Sequence, residues 1–187
     1  MKQEKDIRYY RTKQRITAAM VRLLKEKNFD QITVKDICEY AEISRSGFYL
    51  HYLDKYDLAE KHQLELLAHA NKIIQTASQS TIKRNDLMLH MLNYLKNDGE
   101  LLALLISDHG SPEIQNQVKQ LLKKNALKNI IAHINIQLDT ETEKHYLVTF
   151  LSNAILGVLQ EWINTGQKES PEDLVQIMNK IVSFEFT

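Results

Sequence analysis

Seven histidines, at positions 51, 62, 69, 90, 109, 133 and 145, are the side chains best suited to acid–base or metal chemistry near neutral pH. His62, Glu65 and His69 share one face of a helical segment, with Glu65 and His69 four residues apart. Two imidazoles and a carboxylate make a zinc-competent donor set. The His-Glu-x-x-His pattern is absent, however, and a pocket wall or an exposed face explains the same residues. Asp108 and His109 precede Gly110, where a histidine suits the negative end of a helix. No Walker loop, glycine-rich nucleotide turn or nucleophile elbow occurs. A single cysteine, Cys38, excludes an intramolecular disulfide framework and a cysteine-rich zinc module. It reads as a small buried residue, with redox sensing as the alternative. The expectation is no enzyme, no metal and no cofactor.

Phosphate recognition is the other chemistry within reach. Residues 1–27 carry nine cations (Lys2, Lys5, Arg8, Arg11, Lys13, Arg15, Arg22, Lys25, Lys27) against three acids (Glu4, Asp6, Glu26). A basic arm of this kind neutralises nucleic-acid phosphates or is simply a solvated face; charge alone leaves both open. The whole chain offers no guide, because 24 Lys+Arg balance 24 Asp+Glu.

Those residues must be positioned by helices. Five glycines and two prolines are too few for the closely spaced turns of a sheet protein. The hydrophobic spacing is helical, so the chain is expected to be all-α with about nine helices. The first spans about Arg8 to Lys27, with Ile16, Ala19, Met20, Leu23 and Leu24 as one buried stripe. Asn28 is expected to end it in the left-handed conformation. Thr33 caps a second helix with Asp36 three residues on; that helix buries Val34, Ile37 and Ala41. Ser44 caps a third, ending near Tyr52, and Asp54 a fourth, with Asp57 at its third position, running to Thr76. A polar connection from Ala77 to Asn85 follows. Then come Asp86–Asn97, Glu100–Asp108, Pro112–His133, Thr142–Thr165 and Pro171–Phe184. Gly110 and Gly166 sit where C-caps belong, and Ser111-Pro112-Glu113 and Ser170-Pro171-Glu172 each read as serine cap, proline and helix-favouring acid.

Two short helices joined by a tight turn, Thr33–Ala41 and Ser44–Tyr52, are what a helix-turn-helix requires. The residues within them are more specific: Thr33, Val34, Asp36, Ile37, Ala41 and Ser44, then Phe48, Tyr49, His51 and Tyr52, then Lys55 and Leu58. This run resembles the N-terminal domain of the TetR family of transcriptional regulators, over roughly Arg8 to Gln63. A weaker similarity to C-terminal domains in one bacterial branch lies around Trp162, Ile163 and Ser170-Pro171-Glu172. Departures are visible. Glu42 stands where the family turn usually has glycine, at a cost of about 1 kcal/mol if left-handed. Asn28 replaces another glycine, and Ser46 and Gly47 exchange the usual order of glycine and small hydroxyl.

The resemblance implies a DNA-binding domain over 1–53, with the motif at about 32–51. It also implies a regulatory and dimerisation domain over 54–187, joined to the first through helix four (54–76). The implied contacts to double-stranded DNA are Thr33, Ser44, Arg45, Ser46, Gly47, Tyr49, His51 and Lys55. Arg45 and Ser46 occupy the helix end that meets base edges, where an arginine pairs bidentately with guanine. Gly47 allows close approach, and Thr33, Tyr49, His51 and Lys55 resemble phosphate contacts. Phe48 and Tyr52 read as core.

Beyond the motif, the helix from Thr142 is apolar on more than one face. Phe150, Leu151, Ala154, Ile155, Val158, Leu159 and Trp162 form a broad stripe, with Leu147, Leu156 and Ile163 extending it. Gly157 fits the close approach of another helix. With Leu174, Ile177, Met178 and Ile181 of the last helix, this stripe is expected to form a two-fold dimer interface. An effector pocket is expected among Leu66, Leu67, Met88, Met91, Leu92, Tyr94, Leu105, Tyr146 and Phe150, with His69, His90 and His109 as polar anchors. The start has no signal-peptide h-region and no stretch approaches about 18 uninterrupted apolar residues, so a cytoplasmic protein without a membrane partner is expected. The function implied is a homodimeric repressor released from a pseudo-palindromic operator by an unidentified small molecule. The alternatives are control by a protein co-regulator, or a metal-dependent helical enzyme or sensor.

Overall fold

The stripe on the first helix is where the core begins: Ile16, Ala19, Met20, Leu23 and Leu24 are all buried. In the computed structural model, which describes residues 2–64, 84–129 and 138–182, this helix is α1 (Lys2–Glu26). It begins earlier than its periodicity suggests. Ile7 near its start is 62% exposed, outside the buried period that begins at Ile16.

After α1 the chain departs from expectation at Asn28. Its backbone is extended (φ −65°, ψ 149°), not left-handed, and it leads into a single 3-10 turn over Phe29–Gln31. Gln31 Oε1 accepts from the Asn28 N–H at 3.2 Å. The reason is tertiary. Phe29 must reach the core, where it is fully buried, and its N–H donates to the His109 carbonyl at 2.8 Å.

Helices α2 (Val34–Ala41) and α3 (Arg45–Tyr49) follow, then α4, described over 55–64. Asp54 Oδ1 accepts from the N–H groups of Tyr56 and Asp57 at 2.8 Å each, and Asp57 Oδ2 accepts from Leu53 N–H. The expected cap of α4 is therefore present. Its continuation to Thr76 and most of the Ala77–Asn85 connection lie outside the described residues. Helix α5 (Arg84–Asn97) already includes Asn85.

The remaining helices are α6 (Glu100–Ile106), α7 (Pro112–Asn129), α8 (Glu141–Asn164) and α9 (Pro171–Val182). All described regular structure is helical. The serine caps hold: Ser111 Oγ accepts from Ile114 N–H, and Ser170 Oγ from Asp173 N–H. The cap of α8 is Thr140, two residues earlier than expected, in a reciprocal box with Glu143. Gly166 takes φ +84°, and the next N–H, of Gln167, reaches back to Trp162 O at 2.8 Å, as a glycine-closed helix end requires.

Helix α1 packs on α2 and on α6, α7 on α8, and α5 on α6 and α9. One continuous buried cluster runs from Ile16 through Phe48, Leu58, Leu105 and Trp162 to Met178. Helix α8 is the one described helix long and apolar enough to cross a membrane, with mean hydropathy 1.3 over its best window. Val148, Leu151, Leu156, Trp162 and Ile163 are nevertheless buried, as in the central helix of a helical domain. The expected broad stripe is thus two faces. Leu151, Trp162, Leu174 and Met178, expected at a dimer contact, are spent in this chain's own core, and Trp162 Nε1 donates to Glu169 O at 3.1 Å. The free face holds Phe150 (66% exposed), Ala154, Gly157, Ile177 and Ile181, flanked by half-buried Ile155, Val158 and Leu159.

Candidate nucleic-acid interface

The turn between α2 and α3 sets the angle between these two helices. Glu42 closes α2 in the left-handed conformation (φ 50°, ψ 49°), and Ile43 N–H returns to Cys38 O at 3.0 Å. A non-glycine residue there costs roughly 1–2 kcal/mol. Arg15 offsets part of it, donating to Glu42 Oε2 at 2.8 Å and to Glu42 O at 3.3 Å. Both side chains are exposed, so the pair contributes about 0–1 kcal/mol. It nevertheless ties the turn to α1.

At the start of α2, Thr33 Oγ1 accepts from Asp36 N–H at 3.2 Å while Asp36 Oδ2 accepts from Thr33 N–H at 2.8 Å. Lys27 Nζ also donates to Asp36 Oδ2 at 2.9 Å. These bonds, the Lys27 ammonium first and the Thr33 N–H second, hold the Asp36 carboxyl down at about 2, against an ordinary 3.8. Thr33 is therefore primarily a cap. A depressed carboxyl stabilises the fold above its ordinary pKa and loses that contribution as pH falls through the folded value. Asp36→Asn should therefore flatten the acid loss of stability between about pH 4 and 2, a difference on the order of 1–2 kcal/mol read by urea titration at stepped pH.

Ser44 Oγ caps α3, accepting from Gly47 N–H at 3.0 Å, and lies 3.0 Å from Ser46 Oγ. A Cβ at position 47 would stand 3.3 Å from Ser44 Oγ, so glycine also relieves crowding at the cap. The regular helix is only five residues, with turns carrying the chain to His51. Phe48 and Tyr52 are buried, as expected, and lock α3 from behind. Arg45, Ser46 and Tyr49 face outward, and Arg45 makes no hydrogen bond or ion pair among the described residues.

Two expected contacts sit differently. Lys55 is buried, and its ammonium donates to Phe29 O at 2.8 Å and Asp30 O at 3.0 Å. It lies over the Phe29 ring at 4.8 Å and the Tyr56 ring at 5.2 Å. Satisfying the carbonyls of the 3-10 turn uses the charge that the resemblance assigned to a phosphate. His51 is half-buried and stacked on Tyr9 at 4.2 Å. Burial, then Lys13 and Lys61, keep its pKa below the usual histidine range, so it favours the neutral form. Sequence reasoning missed Tyr9 and Arg15, whose only signal was their place on the basic arm. Burial pushes the Cys38 thiol above its usual range, as befits a core residue.

The N-terminal helices also make polar contacts with later parts of the chain. Lys25 Nζ meets Glu100 Oε1 at 2.6 Å, and Phe29 N–H meets His109 O. The turn bearing His109 is braced by Gln115 Nε2 on Ser107 O at 2.7 Å and by Asp108 N–H on Asn164 Oδ1 at 3.2 Å. Beside this seat a cleft of ≈ 540 Å³ lies among α1, α4 and the α5–α6 turn, with Thr17, His62, Tyr94 and Leu101 in its walls. Of the expected pocket, Leu66, Leu67 and His69 lie outside the described residues, as does Glu65 of the metal-like set. Leu92 and Leu105 are core, and Met88, Met91 and Tyr94 are half-buried. His90, His109, Tyr146 and Phe150 are exposed.

A capped two-helix reader on an all-helical body, with outward arginine, serine and tyrosine, defines a helix-turn-helix regulator. Residues 16–61 match the family described as bacterial regulatory proteins, tetR family, and residues 84–184 match a transcriptional regulator C-terminal region of the same family. The chain belongs to the TetR family. It is 26% identical over 176 residues to the HTH-type transcriptional regulator YxbF of Bacillus subtilis (strain 168), covering 91% of this chain. The chain spans 44% of the length of that curated relative. Among solved structures it resembles a TetR transcriptional regulator from Streptococcus agalactiae 2603V (TM-score 0.72, 25% identity, 97% of this chain and 99% of that one). The fold is shared with the transcriptional regulator FadR from Bacillus subtilis in complex with stearoyl-CoA (TM-score 0.60, 14% identity, 93% and 99% covered).

Proposed function

We propose that this protein is a sequence-specific DNA-binding repressor of the cytoplasm, acting as a homodimer on a pseudo-palindromic duplex. The observation that carries the reading is the outward presentation of Arg45, Ser46 and Tyr49 on a helix locked from behind by Phe48 and Tyr52. Arg45 reads a base edge; Tyr49, with the backbone and hydroxyls around Thr33 and Ser44, positions the phosphates. Selection of binders from a random duplex pool should return two half-sites, with affinity falling steeply as salt rises. Arg45→Ala should relax preference at one position of each half-site by about 1–3 kcal/mol, while Tyr49→Phe weakens all sequences alike. An Arg45→Ala variant with unchanged preference defeats the base-reading role.

Pairing of subunits is proposed through the free face of α8 and α9. A Cβ built on Gly157 has nothing within 4 Å, so the groove beside it is open to a partner helix. Gly157→Leu should drive the protein to monomer in sedimentation at micromolar concentration; a monomeric parent protein at that concentration refutes the dimer.

Control by a small molecule is supported by the cleft at the seat of the DNA-binding unit. A ligand there has differential contacts with docked and tilted arrangements of α1 on α6, which is what a population shift needs. Compounds that stabilise the protein in a thermal-shift screen should also weaken operator binding. If every stabilising compound leaves operator affinity unchanged, control by a protein co-regulator replaces this reading.

A further inference from the structure

Helices α7 and α8 lie side by side, and a cleft of ≈ 490 Å³ opens between the later turns of α7 and the first turns of α8. Its charge is one-sided. Lys123, Lys124 and Lys144 line it against a single carboxylate, Glu141, which accepts from Lys144 Nζ at 2.7 Å. Three cations less one anion leave an excess of two. In a chain with equal numbers of both signs, lysines are ordinarily interleaved with acids, yet α7 has no Asp or Glu after Glu113.

A second observation is independent of charge. Thr149 Oγ1, in the wall of the same cleft, is buried and has no hydrogen-bond partner among the described residues. Buried hydroxyls are normally satisfied, so an unpartnered one at the edge of a cationic cleft marks a position for an acceptor.

We propose that this cleft binds a phosphate-bearing small molecule, held by Lys123, Lys124 and Lys144 with the Thr149 hydroxyl as a further donor. A phosphate monoester carries about −1.5 to −2 at neutral pH, which matches the excess charge. The volume is in the range of small-molecule sites, so the cleft accommodates an organic group beside Val148 as well as the anion. On α8 the cleft residues Lys144 and Val148 lie on the side away from Phe150, Ala154 and Gly157, so ligand and partner subunit do not compete.

The inference stands apart from the operator reading, because binding is measured on the full chain without DNA. Inorganic pyrophosphate, titrated calorimetrically at constant ionic strength, should bind saturably at one site per chain. Lys123→Gln and Lys144→Gln should each weaken binding about ten-fold, and Thr149→Val about three-fold, while Thr149→Ser retains it. Lys180→Gln on α9 should leave it unchanged. Absence of saturable binding below about 10 mM overturns the proposal. An equal loss in Lys180→Gln also overturns it, since that pattern reports net charge and no built site.

Discussion

Gly110→Ala is expected to lower stability by about 3 kcal/mol, at the upper end of what overpacking costs. A Cβ at this position would lie 2.1 Å from Leu105 O and 2.4 Å from Leu105 C. Both are backbone atoms at the end of α6, so no flexible side chain can yield. The turn cannot open without releasing Gly110 N–H from Ser107 O and Ser111 N–H from Leu105 O, each 2.9 Å long. It is also the turn that presents His109 O to Phe29 N–H, so the damage reaches the seat of the DNA-binding unit. For a chain of this size the melting temperature should fall by roughly 6–12 °C, and hydrogen exchange at the Phe29 amide should accelerate. Gly157→Ala is the contrasting case, with open space at its Cβ: helix propensity alone favours alanine by roughly 0.5–1 kcal/mol in a single subunit. An unchanged melting temperature for Gly110→Ala would show that the α6–α7 turn relaxes freely and is no rigid seat.

Lys55→Met should cost about 2–4 kcal/mol, although the residue lies in the part of the motif expected to touch phosphate. Methionine keeps an apolar stem beside Phe29 and Tyr56 but removes the ammonium bonds to the carbonyls of Phe29 and Asp30, leaving Phe29 O with the Ile32 N–H at 3.1 Å. Hydrogen bonds to a charged donor contribute about 1.5–3 kcal/mol each, and the buried carbonyl of the pair bears most of the loss. Burial holds the Lys55 pKa below the usual lysine range, a sign that the ammonium is desolvated by the fold. Urea unfolding of the variant separates the two roles. A structural lysine lowers the midpoint in the absence of DNA. A pure phosphate contact leaves the midpoint unchanged and weakens DNA binding alone, a result that would restore the role implied by resemblance.

These residues show how far one sequence carries. Features that depend on neighbours within four positions were legible: the α1 stripe and the caps at Thr33, Ser44, Asp54, Ser111 and Ser170. The period of hydrophobic residues and the reach of a capping oxygen are local quantities, and they locate helices before any packing is known. Two short helices joined by a tight turn were legible for the same reason, and the resemblance of the residues within them to one family made the helix-turn-helix specific.

What needed the fold was every choice among partners far apart in sequence. Helix α8 announces two apolar faces, but only its packing on α6 and α7 shows that Leu151 and Trp162 belong to the core while Phe150 and Gly157 remain outside. Asn28 has the left-handed aptitude expected of it and is nonetheless extended, because Phe29 must reach the core and the His109 carbonyl. Lys55 matches a phosphate contact by position, yet folding delivers its ammonium to the 3-10 turn first. The sequence by itself determined an all-helical chain, because periodicity, capping and turn chemistry act over a few residues, and its motif residues carried the resemblance to a family of regulators. The tertiary structure alone decided which charges stay available and which apolar face stays exposed, because burial and desolvation are set by the elements that pack across it.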